Sequence, residues 1–199
     1  DAEVHNNLGF VYQEEKNYDE AKQWYEEAIR LQPNYIVAHH NLGLIFHLKE
    51  EYDKAELSYK KAIKIKQDYS PVYNNLGNIL IKQGKIIEAE DCFNQAIKFD
   101  KENPETYNNL GVVLLRLGKI EKAKIACEQA LTYKNEYAEA HYNLAFCLQK
   151  LGNYDEALAA YNQALIFKPD YASAESSMLD LLKNMCDFDI DDKLIESSS

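Results

Sequence analysis

No apolar run in this 199-residue chain approaches the roughly 18 residues that a membrane-spanning helix requires. No positively charged leader followed by an apolar stretch opens it, so no signal peptide is read there. An initiator Met is also missing: the chain starts at Asp1, which suggests an excised fragment or a processed product. Clustered Lys and Arg are absent too. Binding to a phosphate backbone or an anionic membrane depends on such clusters, so neither nucleic acid nor a membrane is an expected partner. The four cysteines, Cys92, Cys127, Cys147 and Cys186, include no C-x-x-C pair and suggest no dense disulfide framework. They read as packed, reduced thiols of an intracellular, cytoplasmic protein. No glycine-rich phosphate loop occurs, and no His pairs with a Ser or Cys nucleophile in a recognisable motif. The chain is therefore not expected to be an enzyme, and no catalytic residue, metal or cofactor is assigned.

The chain does have a hydrophobic content of 46%, enough for a sizeable core, and a net charge of −11. Of that charge, −5 lies in the last 28 residues, from Ala172 on, so the body is mildly acidic and the tail strongly so.

The sequence also repeats itself. Leu8, Leu42, Leu76, Leu110 and Leu144 step by 34 residues, each preceded by an asparagine: Asn7, Asn41, Asn75, Asn109 and Asn143. Gly9, Gly43, Gly77 and Gly111 follow the first four leucines, and Ala145 follows the fifth. Thirteen residues after each Leu stands Ala21, Ala55, Ala89, Ala123 or Ala157, and seven further on Ala28, Ala62, Ala96, Ala130 or Ala164. Between each alanine pair lies Tyr25, Tyr59, Phe93, Cys127 or Tyr161.

These residues resemble the tetratricopeptide repeat (TPR) family, over five full repeats: 2–35, 36–69, 70–103, 104–137 and 138–171. Departures are few. Cys127 replaces the usual aromatic, and proline near the repeat end survives only as Pro33 and Pro169. The resemblance implies an all-α fold, a right-handed α-solenoid of five TPR helical hairpins.

Periodicity points to helices independently. Val72, Leu76, Ile79 and Leu80 recur at helical spacing, as do Ile86, Ala89, Phe93, Ala96 and Ile97. Gly84, Gly118 and Gly152 suit the helix ends between such runs, and Asp19, Asp53 and Asp155 are candidate caps for the helices that follow. A glycine inside a helix costs about 1 kcal/mol relative to Ala. Four repeats accept that cost at one position, which predicts that the second helix, with its paired alanines, crosses close to the first there. Met178, Leu179, Leu181 and Leu182 form the apolar stripe of a C-terminal capping helix over 172–185, in the phase of a sixth first helix. Residues 186–199 read as an acidic tail, frayed from about 187, or as the start of a missing downstream domain. No cap precedes Ala2, so the first helix is expected to expose a partly apolar face and self-association through it is open.

In the TPR family the first helices line a concave surface. The resemblance therefore puts the row Asn7, Asn41, Asn75, Asn109 and Asn143 in a groove, where carboxamides can pair with the main chain of a bound polypeptide. The alternative is that these side chains bond within or between helices. One turn on lie Phe10, Leu44, Asn78, Val112 and Phe146, then His47, Ile81 and Leu115. Facing the groove, they would favour a ligand with hydrophobic anchors; otherwise they pack against adjacent helices. Some family members clamp a terminal carboxylate with a Lys on the first helix. Here Asn6, His40, Asn74, Asn108 and Tyr142 fill that slot, so no such clamp is expected. Lys82, Arg116 and Lys150 repeat at 34-residue spacing as a short basic strip that reads as solvated charge. His5, His39 and His141 fill one repeat slot and read as packing residues.

The leading expectation is a protein–protein interaction scaffold that binds a protein or peptide segment. A second follows from the asparagine row, which resembles that of the superhelical arm of O-linked N-acetylglucosamine transferases, and from Leu181-Leu182-Lys183-Asn184-Met185-Cys186-Asp187-Phe188. This run is similar to the point where O-linked N-acetylglucosamine transferases pass from repeats to catalytic part, often with Cys-Asp-Trp. It implies the substrate-recruiting arm of such a glycosyltransferase; the alternative is an unrelated acidic tail.

Overall fold

A computed structural model of the chain describes residues 1–196, with side chains through Met185. Eleven helices and no strand make up the described residues, an all-α architecture of consecutive hairpins. They fall into two compact units. Residues 1–101 hold α1 (Ala2–Glu14), α2 (Tyr18–Leu31), α3 (Ile36–Leu48), α4 (Tyr52–Ile65), α5 (Ser70–Lys82) and α6 (Ile86–Phe99). The second unit, from Glu102, holds α7 (Pro104–Arg116), α8 (Ile120–Tyr133), α9 (Ala138–Lys150), α10 (Tyr154–Phe167) and α11 (Ala172–Glu196).

Each hairpin closes around one side chain of its second helix. Tyr25, Tyr59, Phe93, Cys127 and Tyr161 are fully buried, and so are the alanines one turn to either side. The first-helix glycine lies against that central side chain. A Cβ added at Gly9, Gly43 or Gly77 would come within 2.7 Å of the ring of Tyr25, Tyr59 or Phe93, and one at Gly111 within 2.8 Å of Cys127 Sγ. The close approach of the second helix expected at the glycines is present, and the atoms that meet them belong to the side chain between the alanines.

The turns inside the hairpins need a left-handed residue. Gly84, Gly118 and Gly152 supply it at φ +77°, +71° and +82°; in the first two hairpins Lys16 and Glu50 adopt it at +60° and +58° without being glycine. The residue after each one donates back across the helix end, as Lys85 N–H does to Leu80 O at 2.8 Å.

The aspartates expected as caps sit elsewhere. The residues that open α2, α4 and α10 are Asn17, Glu51 and Asn153, and no side-chain cap bond forms at any of them. Asp19 lies in the first turn of α2 and pairs with Lys49 from the next hairpin; Asp53 accepts from Gln83 Nε2 at 2.9 Å. An acidic side chain one turn in favours the positive helix end without capping it, and here it also joins neighbouring hairpins. Genuine side-chain caps occur at Asp1, which accepts from Glu3 N–H, and at Asn103, which accepts from Thr106 N–H, each at 3.0 Å.

Helix α11 runs 25 residues to Glu196, beyond the 172–185 expected. It packs on α9 and α10 through Ala174, Met178, Leu181 and Met185, a 4-3-4 stripe. Leu179 and Leu182, expected on the same stripe, are instead 56% and 40% exposed. At 100° per residue they fall outside the arc set by Ala174 and Leu181.

Candidate peptide-binding face

The histidine slot at the start of the first helices pins the second, third and fifth hairpins to the turn before them. His39 Nε2 donates to Pro33 O at 2.9 Å, and His141 Nε2 to Asn135 O at 2.8 Å. Tyr73 OH does the same in the third repeat, donating to Gln67 O at 2.9 Å. A side chain with a donor on a ring reaches the carbonyl six residues back, which accounts for the mix of His and Tyr in one slot.

Two residues on begins the asparagine row. In the first unit Asn41 Nδ2 donates to Asn6 Oδ1 at 3.0 Å, and Asn75 Nδ2 to His40 Nε2 at 2.8 Å. In the second unit Asn143 Nδ2 donates to Asn108 Oδ1 at 2.8 Å. Asn41, Asn75 and Asn143 thus each reach back 35 positions and tie their first helix to the preceding one. The acceptors are the residues of the clamp slot. A lysine there has no lone pair to offer, so the missing clamp and the presence of this ladder are the same fact.

The ladder spends one amide hydrogen per asparagine. The Oδ1 atoms of Asn41, Asn75 and Asn143 accept no bond from the described residues and are not buried. Asn7 is exposed and Asn109 half-buried. One turn further, Phe10 is 52% exposed, while Leu44, Asn78, Val112 and Phe146 are half-buried. Lys150 Nζ sits 5.2 Å from the centre of the Phe146 ring.

His47, Ile81 and Leu115 occupy one repeat slot, 12 residues before the central side chain of their own hairpin. In the first and fifth repeats this slot is Gln13 and Gln149, whose Oε1 atoms accept from Tyr25 OH at 3.0 Å and Tyr161 OH at 2.8 Å. Ile81 matches Phe93 and Leu115 matches Cys127, apolar with apolar. His47 fills the slot in the second repeat, where the buried Tyr59 hydroxyl has no partner among the described residues. The pairing is a covariation within one chain at a 12-residue offset, and the repeat alignment alone could have revealed it.

Ionisation follows packing. His40 is held down at about 4 by burial. For Glu56, burial acts upward, but hydrogen bonds from Lys60, Lys85 and Gln83 outweigh it and hold the carboxylate at about 2. Cys127 and Cys147 are buried with their thiols hydrogen-bonded to each other, and the facing sulfur together with burial pushes the Cys127 thiol far up. Burial, then Asp91 and Glu88, pushes Cys92 up to about 12. Among the described residues, no group of three or more His, Cys, Asp or Glu could hold a metal ion, and no helix is long and apolar enough to cross a membrane. Cys186, Asp187 and Phe188 of the glycosyltransferase-like run lie outside the residues whose side chains are described.

Repeated 34-residue hairpins with a small residue against a central ring define a tetratricopeptide-repeat protein. More particularly, the chain belongs to the family described as the cilia and flagella-associated protein 70 C-terminal domain, whose model matches residues 1–181. No curated protein matches it. Among solved structures it is similar to PilF of Pseudomonas aeruginosa, with TM-score 0.84, 26% identity, and coverage of 94% of this chain and 86% of that one. It is similar also to YrrB, described as a TPR protein with an unusual peptide-binding site, at TM-score 0.74 and 21% identity over 89% and 91% of the two chains. MamA matches at TM-score 0.75 and 22% identity, over 83% of this chain and 97% of that one.

Proposed function

We propose that the chain is a protein–protein interaction scaffold that holds a polypeptide segment against the first-helix face bearing Asn7, Asn41, Asn75, Asn109 and Asn143. The observation that carries this is the split use of each carboxamide. In Asn41, Asn75 and Asn143 the Nδ2 bond to the preceding helix fixes the rotamer, and the Oδ1 is left accessible with no partner. An acceptor already held in place loses little entropy when a peptide N–H meets it. The structural and the recognition roles of the row are therefore compatible. Phe10, Leu44, Asn78, Val112 and Phe146 flank the row and supply apolar contact for side chains of the bound segment. YrrB, a protein of this fold, is described as having a peptide-binding site, which agrees with the reading without locating the site here. No observation favours a glycosyltransferase arm, which rests on the resemblance of the asparagine row and of residues 181–188.

The test is a peptide-array capture comparing the native chain with Asn41→Ala/Asn75→Ala, thermal melts being recorded for both. Loss of captured peptides from a variant that still melts cooperatively supports the reading. An unchanged captured set shows that the row serves only to join helices.

Self-association is a second reading, favoured by the exposure of Val4, Leu8 and Val11 on α1, at 52%, 37% and 51%. It predicts a mass that rises with concentration in light scattering; a constant monomer mass removes it.

A further inference from the structure

A hollow of about 640 Å³ opens in the first unit between the end of α2, the start of α3 and the last turns of α4, away from the asparagine row. Its walls include Ile29, Pro33 and Ile65, which are apolar, and Lys61, Lys64 and His39. The two lysines are one turn apart on α4, and neither makes an ion pair or hydrogen bond with a described residue. Lys54 and Lys60 on the same helix pair with Glu51 and Glu56, and Lys66 just after it pairs with Asp68. Lys61 and Lys64 thus stand open beside an apolar wall. His39 adds an independent observation. It is only 5% exposed, its Nε2–H is committed to Pro33 O, and its Nδ1 is left as a buried acceptor with no partner. Buried polar atoms are normally satisfied, and one that is not calls for an explanation.

We propose that this hollow is a second binding site, for a short acidic peptide segment carrying an aliphatic residue beside its Asp or Glu. Such a segment offers what the walls lack: carboxylates for Lys61 and Lys64, a main-chain N–H for His39 Nδ1, and an aliphatic side chain for Ile29, Pro33 and Ile65. The volume holds a few residues, which makes this a docking point for a short motif rather than an extension of the first-helix face. It shares no residue with the asparagine row and stands or falls separately from it.

The experiment is a titration of the isotope-labelled chain with acetyl-Leu-Asp-Glu-Leu-amide, followed by NMR shifts and calorimetry. Shifts are expected at Ile29, Ile65, the two lysine side chains and the His39 Nδ1 nitrogen. Lys61→Gln/Lys64→Gln changes only open side chains and should melt like the parent while binding about tenfold or more weakly. The Leu-Asn-Gln-Leu peptide should not bind, and Asn41→Ala/Asn75→Ala should bind the acidic peptide as the parent does. Undiminished binding to the lysine double variant overturns the proposal, as do shifts centred on Asn41 and Asn75. So does inorganic phosphate that reproduces the same shifts at the same concentration, because the hollow would then be a general anion patch.

Discussion

Asn75 Nδ2 donates to His40 Nε2 across 2.8 Å, so the link between α3 and α5 depends on an unprotonated histidine nitrogen. His40 packs against the rings of Tyr59 and Tyr69, and its burial holds it neutral down to about pH 4, against 6.5 when free. The unfolded chain takes up this proton below 6.5 and the folded chain refuses it until about 4. Stability from this group is therefore intact above pH 6.5, declines through that window and is fully lost near pH 4, by up to about 3 kcal/mol. Glu56, held at about 2, adds its own loss only below the ordinary carboxylate range. His40→Asn keeps an acceptor, as Asn6 and Asn108 show at the same slot. Urea midpoints of the parent should fall between pH 6.5 and 5 more steeply than those of His40→Asn; parallel curves would refute the account.

Tyr59 presents the complementary case, a ring hydroxyl without a partner. Tyr25 and Tyr161 are satisfied by Gln13 and Gln149; His47 fills the same slot in the second repeat, and its ring packs against Tyr52 at 6.2 Å. Restoring the amide in His47→Gln should satisfy the buried hydroxyl and raise stability by about 1 kcal/mol. Tyr59→Phe should gain by a similar route, because it removes the unsatisfied group. Chemical denaturation of the two single variants and the double variant checks both; a double variant as stable as the sum of the singles would contradict a shared cause.

The sequence made the hairpins legible because each depends on contacts within about 20 residues, and those contacts recur in phase five times. The asparagine row was legible as a row. Its bonds were not, because each runs to the residue beside the previous asparagine, a partner that only the stacking of two helices brings within reach. The capping roles of Asp19 and Asp53 were misread for the same reason. Residue type marks them as helix-start acids, and only the neighbouring hairpin shows that Lys49 and Gln83 claim them. The hollow beside Lys61 and Lys64 carries no repeat signal, because the slots of these lysines hold Gln163 and Ile166 in the fifth repeat.

Lys16 and Glu50 hold the left-handed conformation that Gly84, Gly118 and Gly152 hold in the other hairpins. An L side chain there costs about 1–2 kcal/mol. Both residues are exposed, so nothing else is lost on replacing them. Lys16→Gly and Glu50→Gly should each stabilise by about 1 kcal/mol, and Gly84→Ala should destabilise by about the same amount. The melting temperatures of the three variants should separate in opposite directions around the parent.

The first-helix glycines should respond differently from one another. Gly77→Ala gains helix propensity of about 1 kcal/mol, but its Cβ lands 2.7 Å from two carbons of the Phe93 ring. That ring is fully buried and cannot swing aside, so overpacking of about 1–3 kcal/mol should leave the variant less stable than the parent. At Gly111 the opposing atom is the Cys127 sulfur at 2.8 Å, a single atom on a rotatable bond. Rotation of that thiol relieves the contact at the cost of its hydrogen bond to Cys147, so Gly111→Ala should fall within about 1 kcal/mol of the parent. Ala145 already shows that the position tolerates a methyl group when the opposing side chain, there Tyr161, sits to suit it. Denaturant midpoints should therefore rank Gly111→Ala above Gly77→Ala. Equal losses would show that the backbone spacing, and not the opposing side chain, sets the requirement for glycine.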